Sequence, residues 1–439
     1  MKKNIKVLLT FVCILLAFVA LSAVGLAIYR TTPHYQLRHE HYADVTLDDG
    51  TVVRFLRRPN MEEKSFYDEV VIKEIQVLGS DTLVFPSYVG GYPVTEIGYY
   101  GAEVFPNHTD HEQGIKSLTL PDELTIFNFV GQMFKLESLH IGKATCDFPS
   151  IDAWELKEIT VHPDNVRYKV EGGCLIDKNT NTVVLGTVNS VIPEGVIGID
   201  DYAFYWLSIT ELALPNSLQS IGDAALTATS ITALTLPDGL TSLGSHALAG
   251  TKIKELVIPD GVQTIPSYLL SSCAELETLT IGKGVSEIDT TAFYGCKKLS
   301  EIIIHPENPA YYTDGTSLLR KDDDKLIYYF GNAAVSSKAQ SIDSMAISAE
   351  KADINKVIIP SNIEKILLSS IYSENDPLYI FIPMNVTEME KDAIIIAHGA
   401  IYCEASEKPV GWDENWTRSD VPIYWGCAVE EFTALETKQ

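Results

Sequence analysis

The strongest constraint on the fold is a short apolar triplet that returns every 22 or 23 residues and is followed by Pro, Gly or His. A fixed period of this length is typical of solenoid proteins, in which a repeat buries its apolar face only against its neighbours. The sequence therefore predicts one stacked array of repeats and not several globular domains. The clearest triplets, with their closing residues, are 212–215, 234–237, 256–259, 279–282 and 302–305.

Each triplet is predicted to be a short strand. Because side chains alternate along a strand, its outer two residues point inward and its middle residue points outward. The Pro or Gly that follows ends the strand and begins a turn. About eleven such strands would stack into a sheet on the order of 50 Å long, at roughly 4.8 Å per strand. Further triplets lie at 118–121, 139–142, 159–162, 191–193, 357–360 and 380–383.

Two insertions interrupt the array and match each other. Residues 159–168 and 302–311 share the pattern of an apolar triplet, His-Pro, an acidic residue, Asn and then Tyr. Each is followed by two apolar runs around a polar turn, which predicts a β-hairpin. These hairpin insertions are expected near residues 165–190 and 308–332.

The repeat unit resembles the BspA-type leucine-rich repeat family of bacterial cell-surface proteins. It shares the order apolar-x-apolar-Pro, Ile-Gly, Ala-Phe, Cys, Leu, and residues 79–98 and 401–416 look like the first and terminal repeats of that family. The resemblance covers about residues 45–427. It implies a curved leucine-rich repeat solenoid with a parallel β-sheet on the concave face and short turns or single helical turns on the convex face. It also implies adhesion or protein binding, and it transfers no catalytic residue.

The N-terminus predicts an attachment to a membrane. Lys2, Lys3 and Lys6 precede an uncharged apolar run, residues 7–28, which is long enough to cross a bilayer as a helix. The lysines keep that end cytoplasmic, so the solenoid would lie outside. A cleaved signal peptide is the alternative. No C-terminal wall-sorting signal is recognisable, and the expected divisions are an anchor at 1–30, a linker at 31–44, an N-terminal cap and first repeat at 45–100, repeats at 101–400 and a C-terminal cap at 401–439.

The charge of the chain argues against some partners. The net charge is −26, and residues 1–30 carry four basic residues and no acid. The exported part is therefore more acidic still. This charge opposes binding to nucleic acid and would suit a cationic partner. The alternative is that the acidic side chains only keep the exterior solvated.

No motif for catalysis, a cofactor or a metal is found. The sequence lacks a nucleophile elbow, a phosphate-binding loop and a dinucleotide fingerprint. Cys273 and Cys296 are 23 residues apart and are expected in the core of neighbouring repeats, whereas Cys403 and Cys427 could form a disulfide. The histidines before proline in the two insertions, His162 and His305, are expected to be turn residues. We therefore expect that the protein is not an enzyme and that it has no cofactor and no metal site.

The candidate binding surface is the outward face of the strands. It is rich in Thr, partly acidic, and apolar towards its C-terminal end, which suits a protein or glycan ligand, although Thr also simply suits an exposed strand. The hairpin insertions are a rival site, and a structural role in the cell envelope is the alternative to adhesion. The predicted strip consists of Thr119, His140, Thr160, Glu158, Glu211, Thr235, Glu255, Thr280, Glu301, Ile303 and Ile358.

Overall fold

The computed structural model describes residues 32–39, 41–60, 65–98, 114–127, 133–145, 148–149, 151–330, 335–349 and 354–435. Contacts divide the chain into two compact units, residues 1–170 and 171–439. The predicted membrane segment, residues 7–28, lies outside the described residues. Within the described ranges, no helix has the length and apolar character needed to cross a bilayer.

Unit 1 begins with a helix and a strand in the range for which the sequence predicts a linker, residues 31–44. The difference has a physical reason, because Leu37 and Ala43 are fully buried and give this segment apolar surface to pack. The elements of unit 1 are α1 (Pro33–His39), β1 (Tyr42–Thr46), β2 (Val52–Asn60), β3 (Ser65–Val77), β4 (Thr82–Val84), β5 (Tyr88–Val89), β6 (Tyr92–Ile97), β7 (Ser117–Thr119), β8 (Ile126–Phe127), β9 (Ser138–Ile141), β10 (Glu158–Val161) and β11 (Tyr168–Glu171).

Unit 1 contains two sheets with different pairing. Strands β1, β2 and β3 form an antiparallel meander, and β3 then pairs in parallel with β6. The second sheet is parallel throughout, in the order β10-β9-β7-β4, and consists of the triplet strands of successive repeats. The meander is the part of the chain that precedes the repeat period in the sequence.

Unit 2 is a β-solenoid. Its elements are β12 (Cys174–Asp177), β13 (Thr182–Leu185), β14 (Gly198–Ile199), β15 (Ser220–Ile221), β16 (Ser242–Leu243), β17 (Glu255–Ile258), β18 (Thr264–Ile265), β19 (Thr278–Ile281), β20 (Glu287–Ile288), β21 (Glu301–Ile304), β22 (Tyr311–Thr313), β23 (Ser317–Arg320), β24 (Lys325–Tyr329), β25 (Ser341–Ile342), β26 (Ile347–Ser348), β27 (Lys356–Ile358), β28 (Lys365–Ile366), β29 (Ile371–Ser373), β30 (Leu378–Ile382), β31 (Glu388–Met389), β32 (Ile394–Ile396), β33 (Gly399–Cys403), β34 (Ile423–Trp425) and α2 (Val429–Thr433).

Strands of successive repeats pair in parallel within unit 2, and each insertion adds antiparallel strands. The antiparallel pairs are β12 with β13, β22 with β23, and β23 with β24. The parallel sets are β13-β14-β15-β16, β17-β19-β21, β18-β20, β24-β25-β28-β31, β26-β29-β32 and β27-β30-β33-β34.

The alternation predicted for the triplets is observed. In β17, Leu256 and Ile258 are buried whereas Glu255 and Val257 are exposed. The same inward positions of later repeats build an apolar core that runs from Leu319 to Trp416. Near its end, the rings of Trp412 and Trp416 pack edge to face with centroids 4.9 Å apart, and Trp412 Nε1 donates to Val386 O at 2.9 Å.

The turns on the opposite side from the triplets are not single helical turns in residues 200–250. Some of their N–H groups bond within the turn, as in Tyr205 N to Tyr202 O at 3.0 Å. Others bond to the next repeat: Tyr202 N donates to Asp223 O and Ala224 N donates to Ser245 O, each at 2.9 Å. Both donor residues have left-handed backbones, with φ of 60° and 51°. These backbone groups point towards the neighbouring repeat, so this side forms its own ladder of hydrogen bonds.

The sequence predicts one continuous sheet of triplet strands, but the structure divides these strands among several sheets. Two separations coincide with the hairpin insertions, which place extra chain between consecutive triplets. In addition, no strand forms over residues 191–193, 211–215 or 233–237. Alanines 213 and 233 occupy outward positions there, and alanine is depleted in strands because it offers little side chain to pack against its neighbours.

Candidate functional site

The register of unit 1 brings four of the predicted strip residues together. Thr119 lies opposite His140 and His140 opposite Thr160, so the three form one row across β7, β9 and β10. His140 Nδ1 is 2.8 Å from Thr160 Oγ1. Glu158 begins the neighbouring row, opposite Ser138 of β9, and is exposed. These side chains form a polar surface that can exchange hydrogen bonds with a ligand.

The register of unit 2 builds a second surface across β17, β19 and β21. Glu255, Thr278 and Glu301 form one row of this surface. Thr278 Oγ1 donates to a carboxylate oxygen of Glu301 at 3.4 Å. The row therefore presents two carboxylates separated by a hydroxyl.

A parallel row beside it is apolar at both ends. Val257, Thr280 and Ile303 lie opposite one another in the same three strands. Val257 is 59% exposed and Ile303 is 44% exposed, although both are aliphatic. We name the six residues of these two rows the unit 2 surface: Glu255, Val257, Thr278, Thr280, Glu301 and Ile303.

A cleft of about 350 Å³ borders this surface where the preceding triplet fails to form a strand. Its lining includes Thr235, Glu255 and Val257, together with Leu234 and Leu236. Thr235 and Glu255 belong to the predicted strip, so the strip leads into a concavity. Glu211, one repeat earlier, is exposed in a segment without strand structure.

Ile358 is separated from the open strip. It lies opposite Phe381 of β30, which in turn lies opposite Tyr402 of β33. Helix α2 packs on this row, with the ring of Phe432 5.6 Å from Phe381 and 5.2 Å from Tyr402. This contact was not predictable from the local pattern, because α2 lies far along the chain from Ile358.

Among the described residues, some carboxylates of the repeats form ion pairs with lysines, and those of the predicted strip do not. Lysines bond to carboxylates of adjacent repeats, as in Lys157 Nζ to Glu137 at 2.8 Å and Lys298 Nζ to Glu275 at 2.7 Å. These hydrogen bonds from lysine lower the pKa of both Glu137 and Glu275. By contrast, no ion pair among the described residues involves the carboxylates of the predicted strip, which are Glu158, Glu211, Glu255 and Glu301.

The insertions contain an asparagine whose role the sequence did not reveal. Asn308 Nδ2 donates to Gly282 O and to Val285 O, each at 2.9 Å, and Asn308 Oδ1 accepts from the backbone N–H groups of Ala310 and Tyr311. Asn165 bonds in the same way in unit 1. The recurrence of Asn six residues after the start of both matched triplets was the available signal.

The histidines and cysteines have structural positions. His162 and His305 lie in turns, as predicted, and each Nδ1 accepts from the backbone N–H two residues later at 3.1 Å. Cys273 and Cys296 are fully buried, which confirms their expected place in the core. Cys403 and Cys427 are free thiols and not a disulfide.

The repeats of unit 2 match a known family. Residues 189–311 match the model of the BspA type leucine rich repeat region, in six copies. This region is a BspA-type leucine-rich repeat array. The match confirms the resemblance inferred from the repeat pattern, and it includes the whole unit 2 surface. No curated protein sequence matches the chain.

Several solved structures are similar to this chain. A leucine-rich repeat protein from Eubacterium ventriosum has 21% identity and a TM-score of 0.40, over 48% of this chain and 58% of that chain. A leucine rich cell surface protein from Faecalibacterium prausnitzii has 16% identity and a TM-score of 0.38, over 90% of this chain and 98% of that one. A leucine-rich repeat protein from Bacteroides ovatus has 18% identity and a TM-score of 0.34, over 76% and 94%.

Proposed function

We propose that this chain is a non-enzymatic binding protein, exposed outside the cell membrane, that holds a partner protein on the unit 2 surface. The observation that supports this proposal is the pair of rows across β17, β19 and β21. There, Val257 and Ile303 are exposed beside the carboxylates of Glu255 and Glu301, which have no ion pair among the described residues. Exposed apolar side chains next to uncompensated charge are typical of interaction sites.

The chemistry of the rows favours a protein with basic and apolar side chains. Lys or Arg of the partner would face Glu255 and Glu301, and its apolar residues would cover Val257 and Ile303. The net charge of −26 would speed the approach of a cationic surface. A glycan ligand would instead use hydroxyl groups and would depend little on charge.

Attachment to the membrane is a further part of the proposal. It rests on the lysine-flanked apolar segment 7–28, which would hold the solenoid on the outer side. The divisions at residues 30 and 100, with hairpin insertions near 165–190 and 308–332, belong to the same proposal, whereas the divisions at 44 and 400 fall inside β1 and β33.

Binding is tested with a charge reversal and a matched control. Glu301→Lys changes the unit 2 surface, whereas Glu287→Lys makes the same change on β20, where Glu287 accepts from Thr264 Oγ1 at 3.5 Å. Surface plasmon resonance against a panel of purified extracellular-matrix proteins and glycans is the readout. We expect Glu301→Lys to weaken a protein ligand by at least about tenfold and Glu287→Lys to leave it unchanged. Equal effects of both variants, or loss of only a glycan ligand, would contradict the proposed site.

Attachment is tested by mass spectrometry of the mature N-terminus, together with membrane fractionation and protease treatment of intact cells. We expect an intact terminus with Lys2 and Lys3, and a solenoid that protease removes from outside. A new terminus near Ile28 with protein in the medium would make this a secreted binding protein.

A further inference from the structure

Helix α2 covers part of the outward face of the solenoid through one buried ring. Phe432 is 1% exposed and packs against Phe381 and Tyr402. All residues from 428 to 435 except Phe432 are at least partly exposed. The helix is therefore attached to the sheet by a single apolar anchor.

A lysine on the neighbouring strand holds the C-terminal end of the helix. Lys356 Nζ donates to Thr433 O at 3.0 Å and to Leu435 O at 3.2 Å, and it lies 4.9 Å from the centroid of the Phe432 ring. A cation there satisfies carbonyl groups that the end of a helix leaves without partners, and it also contacts the face of an aromatic ring. Phe381 and Tyr402 therefore provide a surface for an aromatic ring, and the ammonium group of Lys356 beside them binds carbonyl oxygens.

The core beneath this row is complete without the helix. Val357, Ile380 and Ile401 point to the other side of the same strands and belong to the main apolar cluster of unit 2. That cluster includes no residue of α2. Removing Phe432 from the row would therefore expose Phe381 and Tyr402 without opening the core.

We propose that Lys356, Phe381 and Tyr402 form a docking site for a short segment with an aromatic anchor, and that residues 428–435 of this chain occupy it as a tethered ligand. A tether gives the helix an effective concentration on the order of millimolar, so that it competes strongly with a free segment. The row is closed while α2 is bound, and any partner that uses Phe381 or Tyr402 has to displace it. The unit 2 surface remains open in the same state.

The experiment uses a fluorescent peptide of residues 426–435 added to the full-length chain, with anisotropy as the readout. We expect the peptide to bind the Phe432→Ala chain at least about tenfold more tightly than the unsubstituted chain, because the tethered competitor is lost. Adding Lys356→Met to the Phe432→Ala chain should weaken this binding. A peptide that itself contains Phe432→Ala should not bind.

Glu430→Ala is the matched control, because Glu430 is an exposed residue of the same helix. This chain should behave like the unsubstituted one. Equal peptide binding by all chains, or no binding to a Phe432→Ala chain that keeps its melting temperature, would overturn the proposal. Faster hydrogen exchange throughout β30 and β33 in the Phe432→Ala chain would also overturn it, because α2 would then be part of the sheet's own structure. The probe is the chain's own segment, so none of these results bears on the partner proposed for the unit 2 surface.

Discussion

Asn308 bonds the second insertion to the repeat that precedes it. Its side chain is 1% exposed and bonds four backbone groups, two carbonyls of the preceding repeat and two amides of its own turn. Buried backbone groups without a partner lose solvation that nothing replaces. The amide side chain of Asn308 therefore joins the insertion to the repeat before it, together with the Tyr311 hydroxyl, which accepts from Ile288 N at 3.1 Å.

We predict that Asn308→Ala lowers the free energy of unfolding of unit 2 by about 2–4 kcal/mol, because it leaves buried donors and acceptors unsatisfied. Urea denaturation followed by circular dichroism measures the change. Asn216→Ala is the control, since that asparagine is exposed, and it should cost less than about 0.5 kcal/mol. Equal stability of the two variants would mean that water replaces the amide.

Thiol chemistry provides a second prediction at this scale. Burial raises the pKa of Cys273 from its ordinary value of 9.0 to about 11, whereas Cys427 is partly exposed. Because the folded pKa is the higher one, the protonated thiol stabilises the fold fully below pH 9, and that contribution is lost between pH 9 and 11. With iodoacetamide at pH 8, peptide mapping should find Cys427 modified and Cys273 unmodified until urea is added. Rapid modification of Cys273 without urea would show that the repeat opens.

The hairpin β12–β13 of the first insertion depends on a glycine at its base. Gly172 has φ +57°, and a Cβ there would lie 1.9 Å from Val191 O. Val191 N donates to Gly172 O at 2.7 Å, so the two segments cannot separate without losing that bond. Gly195 also has a left-handed backbone, with φ +93°, but nothing lies within 4 Å of its added Cβ.

Gly172→Ala should therefore destabilise unit 2 more than Gly195→Ala does. We expect about 1–2 kcal/mol from backbone strain in each variant, and about 1–3 kcal/mol more from the clash at Gly172. Urea denaturation of the two variants measures the difference. A cost at Gly195 equal to that at Gly172 would mean that strain alone decides both.

The strands were predictable from the sequence and some of their partners were not. The triplets and their alternation follow from local residue pattern, which is why β17, β19 and β21 lie where the period of 22 or 23 residues predicts. The contact of α2 depends on Lys356, which precedes Thr433 by 77 residues, and a helix of five residues has too few positions to reveal its buried face. Four residues of the unit 2 surface belong to the predicted strip, namely Glu255, Thr280, Glu301 and Ile303, but the cleft beside them depends on a strand that does not form.

The repeats of unit 2 are close to interchangeable at the level of the whole molecule. Residues 236–240 read Leu-Pro-Asp-Gly-Leu and residues 258–262 read Ile-Pro-Asp-Gly-Val, and the interval between them is one full repeat of 22 residues. In a solenoid, each repeat contacts only its neighbours, so removal of one unit leaves the others' contacts in register.

We predict that deletion of residues 238–259 gives a folded chain with a lower melting temperature. Deletion of residues 238–248, half a repeat, should prevent cooperative folding, because it would place inward residues on the outward face of the following strand. Circular dichroism and thermal melting compare the two chains. Similar melting of both would mean that the repeats do not depend on a common register.

The ladder of hydrogen bonds between successive turns, such as those from Tyr202 and Ala224, determines how unit 2 would respond to a pulling force along its stack. A force along the stack would load these hydrogen bonds one repeat at a time, and not all together in shear. Each repeat that detaches would release 22 residues, or about 80 Å of extended chain, while the rest keeps its fold. A solenoid of this kind would lengthen in steps under tension, so it would act as an extensible spring between the two points at which it is pulled.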